Sequence, residues 1–336
     1  MRRTVLAALA TLLLGTALAA LPAVAQTAAN AVSIRLADAP TDRADDPRAH
    51  IYIVDHLHQG DRIVRHVEVG NGTGQTQTME VYAAGATVAD GQWKVADGRT
   101  QSELSSWTTV SPSTLVIPAG GSAQATVTVS VPRDAVEGER YAVVWTQPPS
   151  SAGAVGVVNR VGVRMYVSVG EGPEPITDFR IDNLVAARDD QARPVVRAKV
   201  TNTGRRAIDL SGSLRLSDGP GSLRAGPFPV QLGTTLGPGE SAPATVTLAA
   251  DLPNGPWKAT VTVTSGEVTR KAQATITFPS GAGTSAKPVT AESVRRQRRI
   301  LLPLALALLV AVVLALLLLA WRRRRRRTDD DRPGSR

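Results

Sequence analysis

All four histidines of the chain lie in one short window, residues 50–66, which reads HIYIVDHLHQGDRIVRH and contains His50, His56, His58 and His66. The window predicts two strands joined by a turn at residues 58–61. His56 and His58 would then share one face of a strand, with Cα atoms about 7 Å apart, and His66 could reach them across the hairpin. Imidazole nitrogens in this arrangement could bind a metal ion such as zinc. We expect solvated histidines at strand edges instead, because His58 falls in the turn and no carboxylate pattern supports the imidazoles.

Carboxylates are concentrated just before this window, in the segment DAPTDRADDP, which contains Asp38, Asp42, Asp45 and Asp46. Calcium ions prefer carboxylate oxygens, and calcium loops space them as D-x-D-x-D-G. That spacing is missing from this segment. The sequence therefore predicts a solvated acidic loop without a bound metal ion.

Three aromatic residues are candidates for ligand binding. A saccharide is held by a flat apolar ring under its pyranose face and by polar groups at its edge. Trp93 and Trp107 fall in a long polar stretch, residues 85–113, that shows no strand pattern, and Tyr82 precedes it. Long surface segments often carry the function of a sandwich protein. We predict that Tyr82, Trp93 and Trp107 contact the ligand, with packing under the loop as the alternative for Trp107, whereas Trp145 is predicted to serve the core.

The sequence shows no pattern of a catalytic site. It has no nucleophile elbow, no phosphate-binding loop, no H-E-x-x-H and no paired catalytic carboxylates. The chain also has no cysteine, which excludes thiol catalysis, thiolate metal sites and disulfides. We therefore predict a protein that is not an enzyme and needs no cofactor.

Alternation of apolar and polar residues defines the elements that must position these side chains. The period of two that is typical of half-buried strands occurs in AQATVTVSV (123–131), VGVRMYVSV (161–169), WKATVTV (257–263) and AQATITF (272–278). Glycine and proline separate such stretches at short intervals. The pattern predicts an all-β protein built from sandwiches.

The chain also repeats itself. GGSAQATVTV at residues 120–129 matches GESAPATVTL at residues 239–248, and VGNGT at residues 69–73 is echoed by VTNTG at residues 200–204. Two copies of one strand order predict two related domains.

The domain organisation follows from this repeat. We predict two tandem immunoglobulin-like (Ig-like) β-sandwiches, at residues 31–170 and 176–279. A short linker that contains prolines, residues 170–175, joins them. Residues 280–299 show no strand pattern and are predicted to form a flexible stalk.

The N-terminus has the three parts of a secretory signal peptide. Arg2 and Arg3 precede an apolar run at residues 5–21, and Ala23-Val24-Ala25 forms a cleavage pattern. We predict a signal peptide at residues 1–25 that is removed on export.

A second apolar run, ILLPLALALLVAVVLALLLLAW, lies at residues 300–321 and contains no charge. As a helix it would be roughly 33 Å long, which is enough to cross the core of a bilayer. Six arginines follow at residues 322–327, and basic flanks of this kind stay in the cytoplasm. We predict a transmembrane helix at residues 300–321, a basic cytoplasmic tail at residues 322–336, and a single-pass protein of the cell membrane whose domains are extracellular.

The charge of the chain agrees with this arrangement. The formal net charge is +9, yet residues 26–294 carry 24 Lys and Arg against 26 Asp and Glu. The basic excess therefore lies at the two ends, beside the predicted membrane segments. We predict a membrane partner and no nucleic-acid partner.

Several motifs of the first domain are similar to those of a known family. They are YIVD at residues 52–55, SW at 106–107, VSP at 110–112, IPAGGS at 117–122 and PRDA at 132–135. In these motifs the domain resembles the N-terminal domain of the WxL-interacting proteins of Gram-positive bacteria. The resemblance implies that this domain binds peptidoglycan, that a second domain contacts WxL proteins, and that a basic C-terminal helix anchors the chain. The second domain here is similar only to bacterial Ig-like domains in general.

We therefore expect a non-catalytic cell-surface protein that binds peptidoglycan or another cell-wall glycan through its first domain. The alternative is a module that assembles another exported protein, with an exposed edge strand receiving a strand of the partner. A third hypothesis is extracytoplasmic metal binding by His56, His58 and His66.

Overall fold

The computed structural model describes residues 32–149 and 159–294. Strands dominate both ranges, and the prediction of an all-β protein is confirmed. Two β-sandwiches follow one another along the chain, each with its own apolar core between two sheets.

The first sandwich contains ten strands. They are β1 (Val32–Leu36), β2 (Ile53–Leu57), β3 (Arg62–Asn71), β4 (Gln77–Ala89), β5 (Gln92–Val95), β6 (Thr108–Ser111), β7 (Thr114–Ile117), β8 (Ser122–Ser130), β9 (Gly138–Gln147) and β10 (Val161–Val169). One sheet has the order β1-β3-β8-β6, and the other has the order β2-β10-β9-β4-β5 with β7 beside β4. A short helix, α1 (Glu103–Ser106), and two 3-10 turns, Thr41–Arg43 and Pro47–His50, complete the domain.

Alternation in the sequence places the core of this domain. Val67 and Val69 of β3 point inward and are fully buried, while Val64 on the other face is exposed. Val127 and Val129 of the neighbouring β8 are buried against them. Burial of each such side chain contributes about 1.5–3 kcal/mol, so a domain without disulfides is held by its core.

The second sandwich contains eleven strands, most of them short. They are β11 (Phe179–Arg188), β12 (Pro194–Asn202), β13 (Ile208–Asp209), β14 (Ser211–Ser217), β15 (Ala225–Pro229), β16 (Thr235–Leu236), β17 (Ser241–Thr247), β18 (Trp257–Ser265), β19 (Val268–Ile276), β20 (Val289–Thr290) and β21 (Glu292–Ser293). The two main sheets have the orders β17-β12-β11-β20 and β15-β14-β18-β19-β21, and β13 pairs with β16. Trp257 is fully buried in this core, and its indole N–H donates to the Pro253 carbonyl at 2.8 Å.

The sequence repeat is also a structural repeat. Asn71 ends β3, and its side-chain amide donates to three backbone carbonyls at 2.8–3.1 Å. Asn202 ends β12 and donates to three carbonyls at 2.7–3.1 Å. In each domain two of these carbonyls belong to the turn that leads into the strand with the repeated sequence, β8 or β17. The two asparagines therefore fix the same turn twice.

The predicted stalk has more order than its composition indicated. Within residues 280–294, β20 pairs with β11 (Val289 opposite Leu184) and β21 pairs with β19 (Ser293 opposite Ala272). The segment therefore crosses from the edge of one sheet to the edge of the other. Its Gly/Ser/Ala-rich sequence shows no alternation, but the unpaired backbone groups of an edge strand are sufficient to hold it.

The predicted signal peptide (residues 1–25), transmembrane helix (300–321) and cytoplasmic tail (322–336) lie outside the described residues. Among the residues that are described, no helix is both long and apolar enough to cross a bilayer.

Candidate functional site

The histidine hairpin predicted from the sequence is not formed. β2, which carries His56, pairs in parallel with β10, whereas β3, which carries His66, belongs to the other sheet. His56 contacts the Ser168 hydroxyl at 3.0 Å, and His66 contacts Asp38 at 2.9 Å. His58 lies beside Asp61. Within residues 32–149 and 159–294, no three His, Asp or Glu residues are grouped so that they could hold a metal ion.

Tyr82 lies on the outer face of the first sandwich. Its hydroxyl donates to Gln147 at 2.8 Å, and the guanidinium of Arg99 covers its ring at 4.0 Å. Trp145 is its direct neighbour on β9 and is covered in the same way by Arg160 at 4.3 Å. Trp145 was predicted to serve the core and instead lies on this outer face, since Val144 and Thr146 are the more deeply buried residues on either side of it.

The stretch predicted to be irregular contains regular structure. β5 pairs with β4 through a two-residue turn, Asp90-Gly91, and Trp107 caps the C-terminal end of α1. Trp107 packs against the core of the first sandwich, which agrees with the alternative interpretation that this residue packs under the loop. Both turn residues have positive φ, and Asp-Gly is the sequence signal for such a hairpin, so this element could have been read from the sequence.

Trp93 lies in an aromatic cluster between the two domains. Its ring centroid is 4.7 Å from that of Tyr166 and 5.7 Å from that of Tyr141. Tyr52 packs on the other side of Tyr166 at 5.5 Å. Strand register places the rings of Trp93, Tyr141 and Tyr166 on the same outer face as Tyr82, and Tyr52 joins them through its contact with Tyr166. That face therefore holds all four tyrosines of the chain, and Ala207 of the second domain is buried against the aromatic cluster.

Asp209 of the second domain is the polar centre of this junction. Its carboxylate accepts from the Tyr166 hydroxyl at 2.9 Å and from the Thr235 hydroxyl at 2.7 Å. Arg48 and Arg164 of the first domain each lie 3.1 Å from it. The two arginines of the first domain and this carboxylate of the second domain therefore form one ion network across the junction.

Glu139 forms a second polar link. One of its carboxylate oxygens accepts from the Ala207 backbone N–H at 2.5 Å and from the Tyr141 hydroxyl at 2.8 Å. The Arg206 guanidinium lies 3.7 Å from the other oxygen. Burial raises the pKa of Glu139 above its ordinary value, and burial together with this carboxylate raises the pKa of Tyr141.

The tip of the β4–β5 hairpin reaches into the second domain. The Gly91 carbonyl accepts from Thr235 N–H at 3.1 Å, and Glu240 accepts from Asp90 N–H at 3.1 Å. A Cβ at Gly91 would lie 2.8 Å from the Cβ of Ala242, so only glycine permits this approach. Hydrogen bonds, ion pairs and rings together hold the two sandwiches in one relative orientation.

A groove opens in the second sandwich where its two sheets separate. It has a volume of about 1090 Å³, and the side chains at its margin include Phe179, Ile181, Thr269 and Lys271. On the groove side, residues 179–181 of β11 and residues 268–270 of β19 have no neighbouring strand among the described residues. We call this feature the seam groove.

No protein-family model and no curated protein matches this chain. Similar solved structures include the E. coli chaperone DraB, with 11% identity and a TM-score of 0.37 over 78% of this chain and 96% of that chain. The Pseudomonas aeruginosa CupB2 chaperone has 10% identity and a TM-score of 0.35 over 67% and 97% of the two chains. A chaperone–adhesion subunit complex of Csu pili from Acinetobacter baumannii has 15% identity and a TM-score of 0.35 over 67% and 96%. Because these TM-scores are below 0.5, no conclusion about function follows from them.

Proposed function

We propose that the chain is a non-catalytic adaptor of the cell surface that holds an extended segment of another exported protein by strand addition in the seam groove. The observation that carries the proposal is the open edge on each side of this groove. Two strands with unpaired backbone groups face one cavity, and a partner strand placed there gains main-chain hydrogen bonds from either edge.

The chain itself already uses this mode of binding. β21 adds to β19 next to the groove, and the Val294 N–H donates to the Lys271 carbonyl at 2.9 Å. The side chains at the groove margin favour an acidic guest. Arg180 and Arg270 are compensated by Asp182 and Asp178, whereas Lys271 forms no ion pair within residues 159–294.

A site-specific crosslink tests the proposal. Because the chain has no cysteine, Thr269→Cys in the full-length protein gives a single attachment point for a photoreactive group inside the groove. Thr109→Cys, an exposed position on the edge strand β6, is the matched control. We expect one dominant protein adduct from Thr269 in membranes and none from Thr109.

The crosslinked segment then provides a direct binding test. A synthetic peptide with its sequence should bind the purified protein, and Lys271→Glu should weaken binding about tenfold. Equal adducts from both positions, or a peptide that binds the wild type and the variant equally, would refute strand addition in this groove.

A second candidate function is binding of a cell-wall glycan by the first domain, as the resemblance to the WxL-interacting proteins implies. One observation favours it: Tyr82 and Trp145 lie opposite each other on neighbouring strands of the outer face, and the cations Arg99 and Arg160 lie over their rings. Such a surface suits an anionic wall polymer, peptidoglycan included, because rings and cations contact sugar faces and acidic groups respectively.

Sedimentation with insoluble cell walls tests this second function. The wild type should pellet with the walls, and the double variant Arg99→Gln/Arg160→Gln should stay in the supernatant. Arg62→Gln, on the other sheet of the same domain, is the control. If the wild type stays in solution at low and moderate salt, wall binding is excluded.

We also propose that both sandwiches lie outside the cell, tethered by the apolar segment at residues 300–321. Protease added to intact cells should then digest residues 32–294 and spare the C-terminal tail. Digestion of the tail alone would reverse the orientation.

A further inference from the structure

A second cavity lies where the two domains and their linker meet. It has a volume of about 390 Å³ and is bounded by the acidic loop of the first domain, the linker, and the β18–β19 turn of the second domain. We call it the junction pocket. Its lining includes Arg43, Asp45, Arg48, Glu174, Arg206, Ser265 and Glu267. The volume falls in the range of small-molecule sites.

The base of the pocket is rich in hydrogen-bond donors. Arg48, Arg206 and Ser265 are only 6%, 5% and 1% exposed. The Ser265 hydroxyl, Nε of Arg206 and Nε of Arg48 are buried without a hydrogen-bond partner, whereas Nη2 of Arg48 lies 3.1 Å from Asp209. Buried polar groups in folded proteins are normally satisfied, so this concentration of free donors indicates a binding site for oxygen atoms.

The carboxylates near the base do not use all the donors of the buried arginines. Two arginines share the Glu174 carboxylate, which accepts a hydrogen bond from Arg43 at 2.6 Å and also contacts Arg206. Glu139 lies 3.7 Å from Arg206, beyond hydrogen-bond distance. Burial lowers the pKa of Arg206 to about 10, and the nearby cations Arg48 and Arg43 act in the same direction against the opposing effect of Glu139. A ligand carboxylate at the base would accept hydrogen bonds from the donors that these protein carboxylates leave unused.

The rim of the pocket has the opposite sign. Asp45 and Glu267 are exposed there, and neither forms an ion pair in the described parts of the chain. Asp46, also at the pocket, is already used because it accepts from the Arg48 backbone N–H at 2.9 Å. Donors at depth and carboxylates at the entrance match a ligand that carries an anion at one end and a cation at the other.

We propose that the junction pocket binds the zwitterion of an α-amino acid or a dipeptide, with its carboxylate at the base and its ammonium group at the rim. The carboxylate accepts from the guanidinium groups and from the Ser265 hydroxyl. The ammonium group pairs with Asp45 or Glu267. This inference stands apart from strand addition, because the seam groove and the junction pocket have different linings.

Equilibrium dialysis of the full-length protein in detergent with ¹⁴C-labelled alanine and alanyl-alanine tests the proposal. We expect saturable binding of one molecule per chain. Two partial analogues serve as competitors: acetate has only the carboxylate of the ligand, and methylammonium has only its cation. Each should compete at least tenfold more weakly than the unlabelled zwitterion.

Ser265→Ala is the decisive variant. The hydroxyl has no hydrogen-bond partner among the described residues, so its loss should leave thermal stability unchanged and should weaken zwitterion binding about tenfold. Ser217→Ala, at another serine without a side-chain hydrogen bond in the described structure, should bind like the wild type. Arg206→Gln should abolish binding.

Three results would overturn the assignment. The first is an absence of saturable binding up to about 10 mM, which would indicate a water-filled cavity. The second is competition by acetate as strong as that by the zwitterion, which would indicate a plain anion site. The third is zwitterion binding by Ser265→Ala that equals binding by the wild type. Loss of the partner crosslink at Thr269 would have no bearing on this result.

Discussion

The hydroxyl of Tyr166 donates a 2.9 Å hydrogen bond to Asp209, and this bond joins the outer face of the first sandwich to the second sandwich. Two arginines of the first domain converge on the same carboxylate. A linker of a few residues would by itself leave two domains free to reorient. Here the apolar rings and the ion network at the junction make the pair one structural unit.

Removal of this hydroxyl should weaken the junction. We expect Tyr166→Phe to lower the free energy of unfolding by about 1.5–3 kcal/mol, the usual worth of a hydrogen bond to a charged group. Tyr52→Phe is the matched control, since its hydroxyl makes no hydrogen bond among the described residues, and it should change stability by less than about 0.5 kcal/mol. Urea denaturation followed by tryptophan fluorescence measures both. Equal effects of the two substitutions would argue against this bond as a link.

The close approach at Gly91 gives a second test. Gly91→Ala forces a methyl group to within 2.8 Å of Ala242, and overpacking of this kind costs about 1–3 kcal/mol. Gly98→Ala has a similar positive φ of 55° but no atom within 4 Å of the new Cβ. The Gly98→Ala variant therefore measures the cost of a positive φ at alanine without any steric clash. We expect Gly91→Ala to be the more destabilising by about 1–3 kcal/mol and to separate one unfolding transition into two. A calorimetric scan with one transition in both variants would contradict this.

The raised pKa of Glu139 predicts a pH dependence. A carboxyl whose pKa is higher in the folded state binds its proton more tightly there. The stability it contributes is complete below its ordinary pKa of 4.5 and is lost as pH rises through the folded-state pKa. Glu139→Gln cannot titrate. The free energy of unfolding of the wild type should therefore fall relative to this variant as the pH is raised above 4.5. Denaturation curves at matched pH values measure the difference, and a constant difference would show that burial does not shift this group.

Substitution of either asparagine that fixes a repeated turn should lower the stability of the protein by a similar amount. Asn202→Asp replaces an amide that donates to three carbonyls by a carboxylate that cannot donate. We expect a loss of about 2–4 kcal/mol, because three buried carbonyls lose their partner. The same change at Asn71 should cost a similar amount. Asn183→Asp, at a position whose side chain makes no hydrogen bond within residues 32–149 and 159–294, should be nearly neutral. Thermal unfolding distinguishes these outcomes.

Much of the fold was predictable because its main signals are local. Alternation along β8 and β10 specifies strands, and the matching runs at β8 and β17 specify a duplicated order. The histidine hairpin failed for a physical reason. Ile53 of β2 pairs with Met165 of β10, and no local pattern encodes a partner so far along the chain. Local patterns instead favour β3, the next strand along the chain, as the partner of β2.

The candidate site was harder to predict than the fold. Trp93 was predicted to contact a ligand, but its neighbours in the structure come from β9 and β10, and the second domain packs against the same cluster. Arg48, Arg206 and Ser265 are ordinary residues in sequence, and they become notable only because three separate segments bury them around one cavity. Asp90-Gly91 was the one local signal that could have revealed the junction.

The segment that follows the last long strand has a mechanical consequence. Its backbone is bonded to β11 through Ala286 and Ala291 and to β19 through Val294. Tension applied at residue 294 would therefore be shared by both sheets of the domain. The hydrogen bonds between β21 and β19 would have to break before the segment could peel away from the domain. A force applied at this point would therefore act on the whole domain and not on one strand alone.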